Sequence, residues 1–161
     1  MNKTSRLVRT ALIAAAYAVL TLAVPTLSYG PIQLRISEAM CILPFFMGEA
    51  VIGLTVGCFV ANLIGVSMGL ALPWDLLVGT LASFIAAIIT YKIKIKWLLP
   101  LPSIIVNALF VGTMLTYILL DGTESVPLWY NILTVGAGQT IVCYGLGLPL
   151  FAVMKKLYKK K

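Results

Sequence analysis

The chain has 161 residues, 61% of them hydrophobic and 11% charged, with a net charge of +7. Soluble domains carry about 25% charged residues, so a water-soluble core is excluded and the solvent for these apolar runs is lipid. The basic balance does not point to nucleic acid, because eleven of the twelve Lys and Arg residues fall in three clusters beside apolar runs: Lys3, Arg6 and Arg9; Lys92, Lys94 and Lys96; and Lys155, Lys156, Lys159, Lys160 and Lys161. Such clusters mark the cytoplasmic flanks of membrane helices and attract anionic lipid headgroups. Residues 10–34, 50–74, 97–120 and 125–154 contain no charged side chain. Each run is long enough to cross about 30 Å of hydrocarbon as a helix, and none shows the alternation of a barrel strand. The expected fold is therefore an all-α integral membrane protein, a single domain over residues 1–161.

The first predicted helix covers 8–27. Its basic start resembles a secretory signal, but the apolar run continues from Ala11 to Leu27 without a small-x-small cleavage context, so it reads as a retained helix. Ala11, Ala14, Ala15 and Ala18 give this helix small residues at helical spacing, which lets a second helix approach closely. With all three basic clusters on one side, the number of crossings between any two is even. Helices at 100–120 and 128–154 satisfy this for the last pair, and the turn Asp121-Gly122-Thr123-Glu124 between them falls outside. Between Arg9 and Lys92, a helix at 75–91 joins the first, so residues 37–73 supply two more, at 37–48 and 50–68, meeting near Gly48-Glu49. This pair is short for two full crossings, so one of them is expected to be broken, tilted or thinly embedded. The sum is six transmembrane helices with both termini in the cytoplasm.

The chain has no histidine and no Gly-Lys dipeptide. Imidazole metal sites and a phosphate-binding loop are thereby excluded. Cys41, Cys58 and Cys143 lie in apolar segments without a Cys-x-x-Cys pair and read as buried small hydrophobes. No catalytic set, metal site or cofactor site is predicted. Transport by this chain would draw its energy from a gradient or from another polypeptide.

Polar residues gather on the predicted outer side. Arg35 and Glu38 are three apart and able to pair across a helix start, either as an interfacial ion pair with Ser37 as N-cap or as a ligand clamp. Trp74-Asp75 opens the fourth helix, where the indole suits the interfacial belt or a planar ligand and the carboxylate suits the helix N-terminus or a ligand donor edge. Trp129 and Asn131 begin the last helix, Asn62 and Gln139 lie within helices, and Asn131, Val135 and Gly138 share one face. A buried amide of this kind serves as interhelical glue or as a reader of a ligand edge. Asn107 reads as glue, and Glu49 as a solvated turn charge or a partner contact.

Taken together, six helices with both ends inside and alanines spaced along the first resemble the substrate-binding (S) component of an energy-coupling factor (ECF) transporter. The runs Leu34-Arg-Ile-Ser-Glu-Ala39, Leu43-Pro-Phe-Phe46, Gly57-Cys58, Ala61-Asn62, Trp74-Asp75 and Gly79-Thr-Leu-Ala82 are similar to the queuosine-precursor transporter (QueT) family, and Pro102, Asn107-Ala108 and Gly145-Leu-Gly-Leu-Pro149 extend the likeness over nearly the whole chain. The resemblance implies a transmembrane coupling subunit and two cytoplasmic ATPases as partners, with the strip Ala11, Ala14, Ala15 and Ala18 as the coupling contact. It implies a 7-deazaguanine substrate, such as 7-aminomethyl-7-deazaguanine (preQ1) or queuine, bound near the outer side of a bacterial plasma membrane. It also implies Arg35, Glu38, Asn62, Trp74, Asp75, Trp129, Asn131 and Gln139 as the substrate-binding set. Two other readings of the bare sequence stand beside this one: a self-sufficient secondary transporter, and a structural membrane subunit that binds no small ligand.

Overall fold

The computed structural model describes residues 2–30, 32–118 and 126–159. Helix α1 spans Lys3–Ala23, about 31 Å at 1.5 Å per residue. It stops where Val24 precedes Pro25, since a residue before proline is driven out of the helical region, and a single turn, α2 (Pro25–Ser28), follows. After a turn closed by the Gln33 N–H on the Gly30 carbonyl, and Arg35 in extended backbone, comes a 3-10 helix at Ile36–Phe45. Helix α3 (Glu49–Ser67) ends at Gly69, whose φ of 71° lies in the left-handed region that favours glycine. A 3-10 turn at Pro73–Leu76 opens α4 (Val78–Lys92), and another at Lys96–Leu98 precedes α5 (Leu101–Ile118). The chain then forms α6 (Leu128–Gly145) and α7 (Gly147–Lys159).

Among the described residues, five helical stretches are long and apolar enough to cross a membrane: Lys3–Ala23, Glu49–Ser67, Pro73–Lys92, Lys96–Tyr117 and Leu128–Tyr158. The helix expected at 37–48 is different. It is a ten-residue 3-10 helix, about 20 Å long at ~2.0 Å per residue, and Pro44 lies inside it. Residues Ser37–Pro44 are all buried, and the segment packs against α1, α3, α4, α6 and α7. The segment is therefore the centre of the bundle and not one of its lipid-facing walls. The helix expected at 128–154 is broken at Leu146, between Gly145 and Gly147, where Pro149 cannot donate to the carbonyl one turn back. The predicted acidic turn at 121–124 lies outside the described residues.

Around this centre, α1 packs on α3, α3 on α4, α4 on α5, and α5 on α6. Small residues set the spacing. A Cβ at Gly57 would stand 2.7 Å from the Ala14 carbonyl oxygen, and one at Gly53 would stand 2.8 Å from the Ile13 side chain. Ala14 and Ala18 are accordingly buried, whereas Ala11 and Ala15 remain exposed. Half of the alanine strip thus belongs to the α1–α3 interface.

The basic clusters come together at one end of the bundle. Arg9 pairs with Glu49 at 3.8 Å, Gly48 lies against the Tyr91 ring, and Lys96 shares a groove with Lys155 and Lys156. Replacing Gly57 with Val should push α1 from α3 and destabilise the protein by about 1–3 kcal/mol. Gly145→Ala, where a new Cβ meets nothing within 4 Å, should be tolerated. Thermal unfolding in detergent distinguishes the two variants.

Candidate functional site

At the opposite end of the bundle lies a cavity of about 240 Å³. Its wall is built from the stretch after α2 (Tyr29, Gly30, Gln33), the α3–α4 connection (Gly69 to Leu72, with Asp75), Leu115 near the end of α5 and Asn131 near the start of α6. The volume falls just below the roughly 300–1,000 Å³ of sites for drug-sized ligands, so it suits a compact molecule.

A buried ion pair underlies the cavity. Arg35 is 4% exposed, and its Nη2 stands 3.6 Å from Asp75 Oδ1. The guanidinium also donates from Nε to the Ser28 carbonyl at 3.1 Å, and its carbon lies 5.0 Å from the Tyr29 ring centroid. Asp75 accepts the Leu72 N–H on Oδ2 at 2.9 Å, which closes the turn that opens α4. Asn62 donates to the Asp75 carbonyl at 2.7 Å. Gly79 makes this assembly fit, because a Cβ there would stand 3.0 Å from Asn62 Nδ2. Three buried atoms, Arg35 Nη2, Asp75 Oδ1 and Asn62 Oδ1, have no hydrogen-bond partner among the described residues. Such atoms cost free energy when left unpaired. Arg35 Nη2 and Asp75 Oδ1 face each other across the ion pair, and of the three residues only Asp75 lines the cavity.

Tyr29 lies flat against α3 because Gly65 has no side chain to displace its ring, and its hydroxyl donates to the Ala61 carbonyl at 2.7 Å. Burial pushes this phenol above its ordinary value, against the pull of the neighbouring guanidinium, so it remains a neutral donor at neutral pH. Gln33 has φ 51°, the positive-φ non-glycine among the described residues, a strained conformation of the kind that gathers at binding sites.

A family model for the QueT transporter matches residues 7–156. The chain belongs to the QueT transporter family. The Queuosine precursor transporter QueT of Lactococcus lactis subsp. cremoris (strain MG1363) is 36% identical over 87 residues, 52% of this chain and 48% of that relative. The match therefore spans about half the length of the relative. No solved structure matches the chain. Family membership and the five long apolar helices make this a multi-pass membrane protein of a transporter family.

In this QueT-family chain, the structure divides the eight sequence-predicted site residues into three groups. Asp75 and Asn131 line the cavity, with Asn131 donating to Thr116 Oγ1 at 2.9 Å. Arg35 and Asn62 stand behind Asp75. The remaining four are elsewhere. Glu38 lies deep in the bundle, where its two oxygens accept from the Tyr17 hydroxyl and, at 3.4 Å, from Asn107 Nδ2. The space beside it is about 10 Å³, room for a single water. Gln139 is buried along α6 and accepts from Cys143 Sγ. Trp74 and Trp129 are 53% and 63% exposed, and neither lines the cavity.

The expected pairing of Arg35 with Glu38 is replaced by the Arg35–Asp75 pair. Arg35 has extended backbone, φ −84° and ψ 109°, so the helical i,i+3 neighbourhood does not exist there. Nor does Ser37 cap the helix; its hydroxyl shares a hydrogen bond of 2.7 Å with Thr21. Tyr29 and Gln33 were absent from the sequence-derived set. The Gly30-Pro31 pair beside them signals a turn, but not which side chains it directs toward a cavity.

Replacing Asp75 with Ala leaves the Arg35 charge buried without its counter-ion and should cost about 3–5 kcal/mol of stability. The double variant Arg35→Met, Asp75→Leu should lose much less than the sum of the two single changes. A double-mutant cycle of unfolding free energies checks both expectations.

Proposed function

We propose that this chain takes up a queuosine precursor, a 7-deazaguanine such as preQ1 or queuine, as the substrate-specific membrane subunit of an ECF-type importer in a bacterial plasma membrane. The observation that carries the substrate reading is the cavity whose wall holds the Asp75 carboxylate and the Gln33 and Asn131 amides, with the Arg35–Asp75 ion pair behind it. A deazaguanine presents a ring N–H and an exocyclic amine that a carboxylate such as Asp75 accepts. Its carbonyl oxygen accepts from a guanidinium such as Arg35. Tyr29 offers a ring face on the cavity wall, while Gln33 and Asn131 offer amide groups to the remaining edge. In this reading Trp74 and Trp129 serve the interfacial belt, and Glu38 and Gln139 hold the bundle that shapes the cavity. The relative named for queuosine precursors supports the substrate class.

Six crossings with both termini cytoplasmic remain the topology we favour. The stretch between Arg35, beside the cavity, and Glu49, which pairs with Arg9 at the basic end, runs from one end of the bundle to the other. The 3-10 helix then counts as the sixth crossing. All three basic clusters fall on the same side, as the positive-inside rule requires. The whole chain acts as one membrane domain. Energy would come from a coupling subunit and two cytoplasmic ATPases, and the exposed Ala11 and Ala15 are the free part of the strip where such a subunit could dock.

Two measurements test this reading. Calorimetric titration with preQ1 should give binding that Asn131→Ala weakens about tenfold and Asp75→Asn weakens by about ten- to a hundredfold, from the loss of one neutral and one charge-assisted contact. Unchanged affinity in both variants would remove the cavity as the site. Separately, Ala15→Leu should abolish co-purification with a coupling subunit while leaving preQ1 binding intact. Gradient-driven uptake by the reconstituted chain alone would favour a secondary transporter instead.

A further inference from the structure

The end of the bundle opposite the cavity carries a second concavity, of about 440 Å³, between α7 and the turn before α5. Three cations border it: Lys96, Lys155 and Lys156. Its other lining is largely apolar, from Leu148, Phe151, Ala152 and the Trp97 indole. The turn is anchored there, since the Tyr144 hydroxyl donates to the Trp97 carbonyl at 2.9 Å and Lys96 Nζ sits 4.6 Å from the Trp97 ring centroid. The ion pairs among the described residues are Arg9–Glu49 and Arg35–Asp75. No described carboxylate therefore neutralises these three lysines. Three like charges gathered around one groove repel one another until an anion is present.

We propose that this groove binds the headgroup of an anionic phospholipid. A lipid fits better than a free phosphate for two reasons. First, the lysines are exposed and are point-charge donors without a fixed fork, so they attract a phosphodiester without enclosing it. Second, the floor formed by Leu148 and Phe151 gives a dissolved ion nothing to bond, but accommodates the apolar junction between headgroup and acyl chains. Trp97 is the residue type that settles at headgroup depth, and basic pockets between membrane helices are suited to anionic headgroups. The inference depends on neither the deazaguanine substrate nor the ECF partners.

The test uses the full chain with Trp74 and Trp129 changed to Phe, so that Trp97 alone reports. The protein is reconstituted in phosphatidylcholine vesicles containing either brominated phosphatidylglycerol or brominated phosphatidylcholine. Brominated phosphatidylglycerol should quench Trp97 at a clearly lower mole fraction. Each lysine changed to Gln should reduce that preference about fivefold, and K96Q/K155Q/K156Q should bring the two lipids to parity. Size exclusion and circular dichroism identify folded variants, and the single variants provide the measurement if the triple variant does not fold. Equal quenching by the two lipids in the Trp97-only protein would overturn the proposal, as would a preference that survives lysine removal. Relief of quenching by inorganic phosphate would assign the site to the free ion instead. If the triple variant keeps its lipid preference but loses a co-purifying protein, the groove is a subunit interface and the lipid assignment fails.

Discussion

A guanidinium cannot shed its charge inside a protein, and at Arg35 it sits where water scarcely reaches. Charged groups at membrane depth face the bundle interior and find partners there. Arg35 does so by gathering three separate pieces of chain: the Ser28 carbonyl with the adjacent Tyr29 ring, the Cys58 sulfur on α3 at 3.9 Å, and the Asp75 carboxylate at the start of α4. The same contacts hold the stretch after α2 against the α3–α4 connection, and the cavity lies between those two segments. Among the described residues, the Arg35–Asp75 pair is a polar link between these parts of the wall.

The centre of the bundle obeys a related constraint. Irregular backbone at membrane depth is tolerated only where protein surrounds it, and the Ile36–Phe45 helix is enclosed by five others. Its 3-10 winding gains length, since ten residues reach about 20 Å where an α-helix would reach about 15 Å. Its polar side chains are answered individually: Ser37 by Thr21, and Glu38 by Tyr17 and Asn107. Close packing around it depends on missing side chains. Gly138 admits the Ile32 carbonyl, and Gly147 lies beside the Ala39 carbonyl. The Glu38 carboxylate is thereby committed to the interior of the protein.

The two ends of the molecule differ in chemistry. One presents a small cavity with a carboxylate, a guanidinium and amides, suited to hydrogen bonding the edges of a compact polar molecule. The other presents a wider groove with three lysines and an apolar floor, suited to the diffuse charge of a membrane surface.

Composition and charge placement were enough to establish a helical membrane protein, the positions of the five long apolar helices, and the basic end, because hydrophobic length and Lys/Arg clustering are local properties of the chain. The run of motifs from Leu34 to Pro149 was also enough for the family. Asp75 and Asn131 stand out in an apolar sequence as a carboxylate and an amide beside helix starts, and both line the cavity. Trp74 and Trp129 were equally conspicuous yet are exposed and do not line the cavity, since an aromatic at a helix start suits the lipid interface as well as a ligand and sequence contains no direction. Tyr29 and Gln33 went unseen for the converse reason: their places in the cavity wall come from the close approach that Gly65 allows the Tyr29 ring and from the positive φ at residue 33. The partner of Arg35 was likewise decided only in three dimensions. An extended backbone at that residue turned its side chain away from Glu38, three positions on, and toward Asp75, forty positions on, where the bundle left an unanswered negative charge.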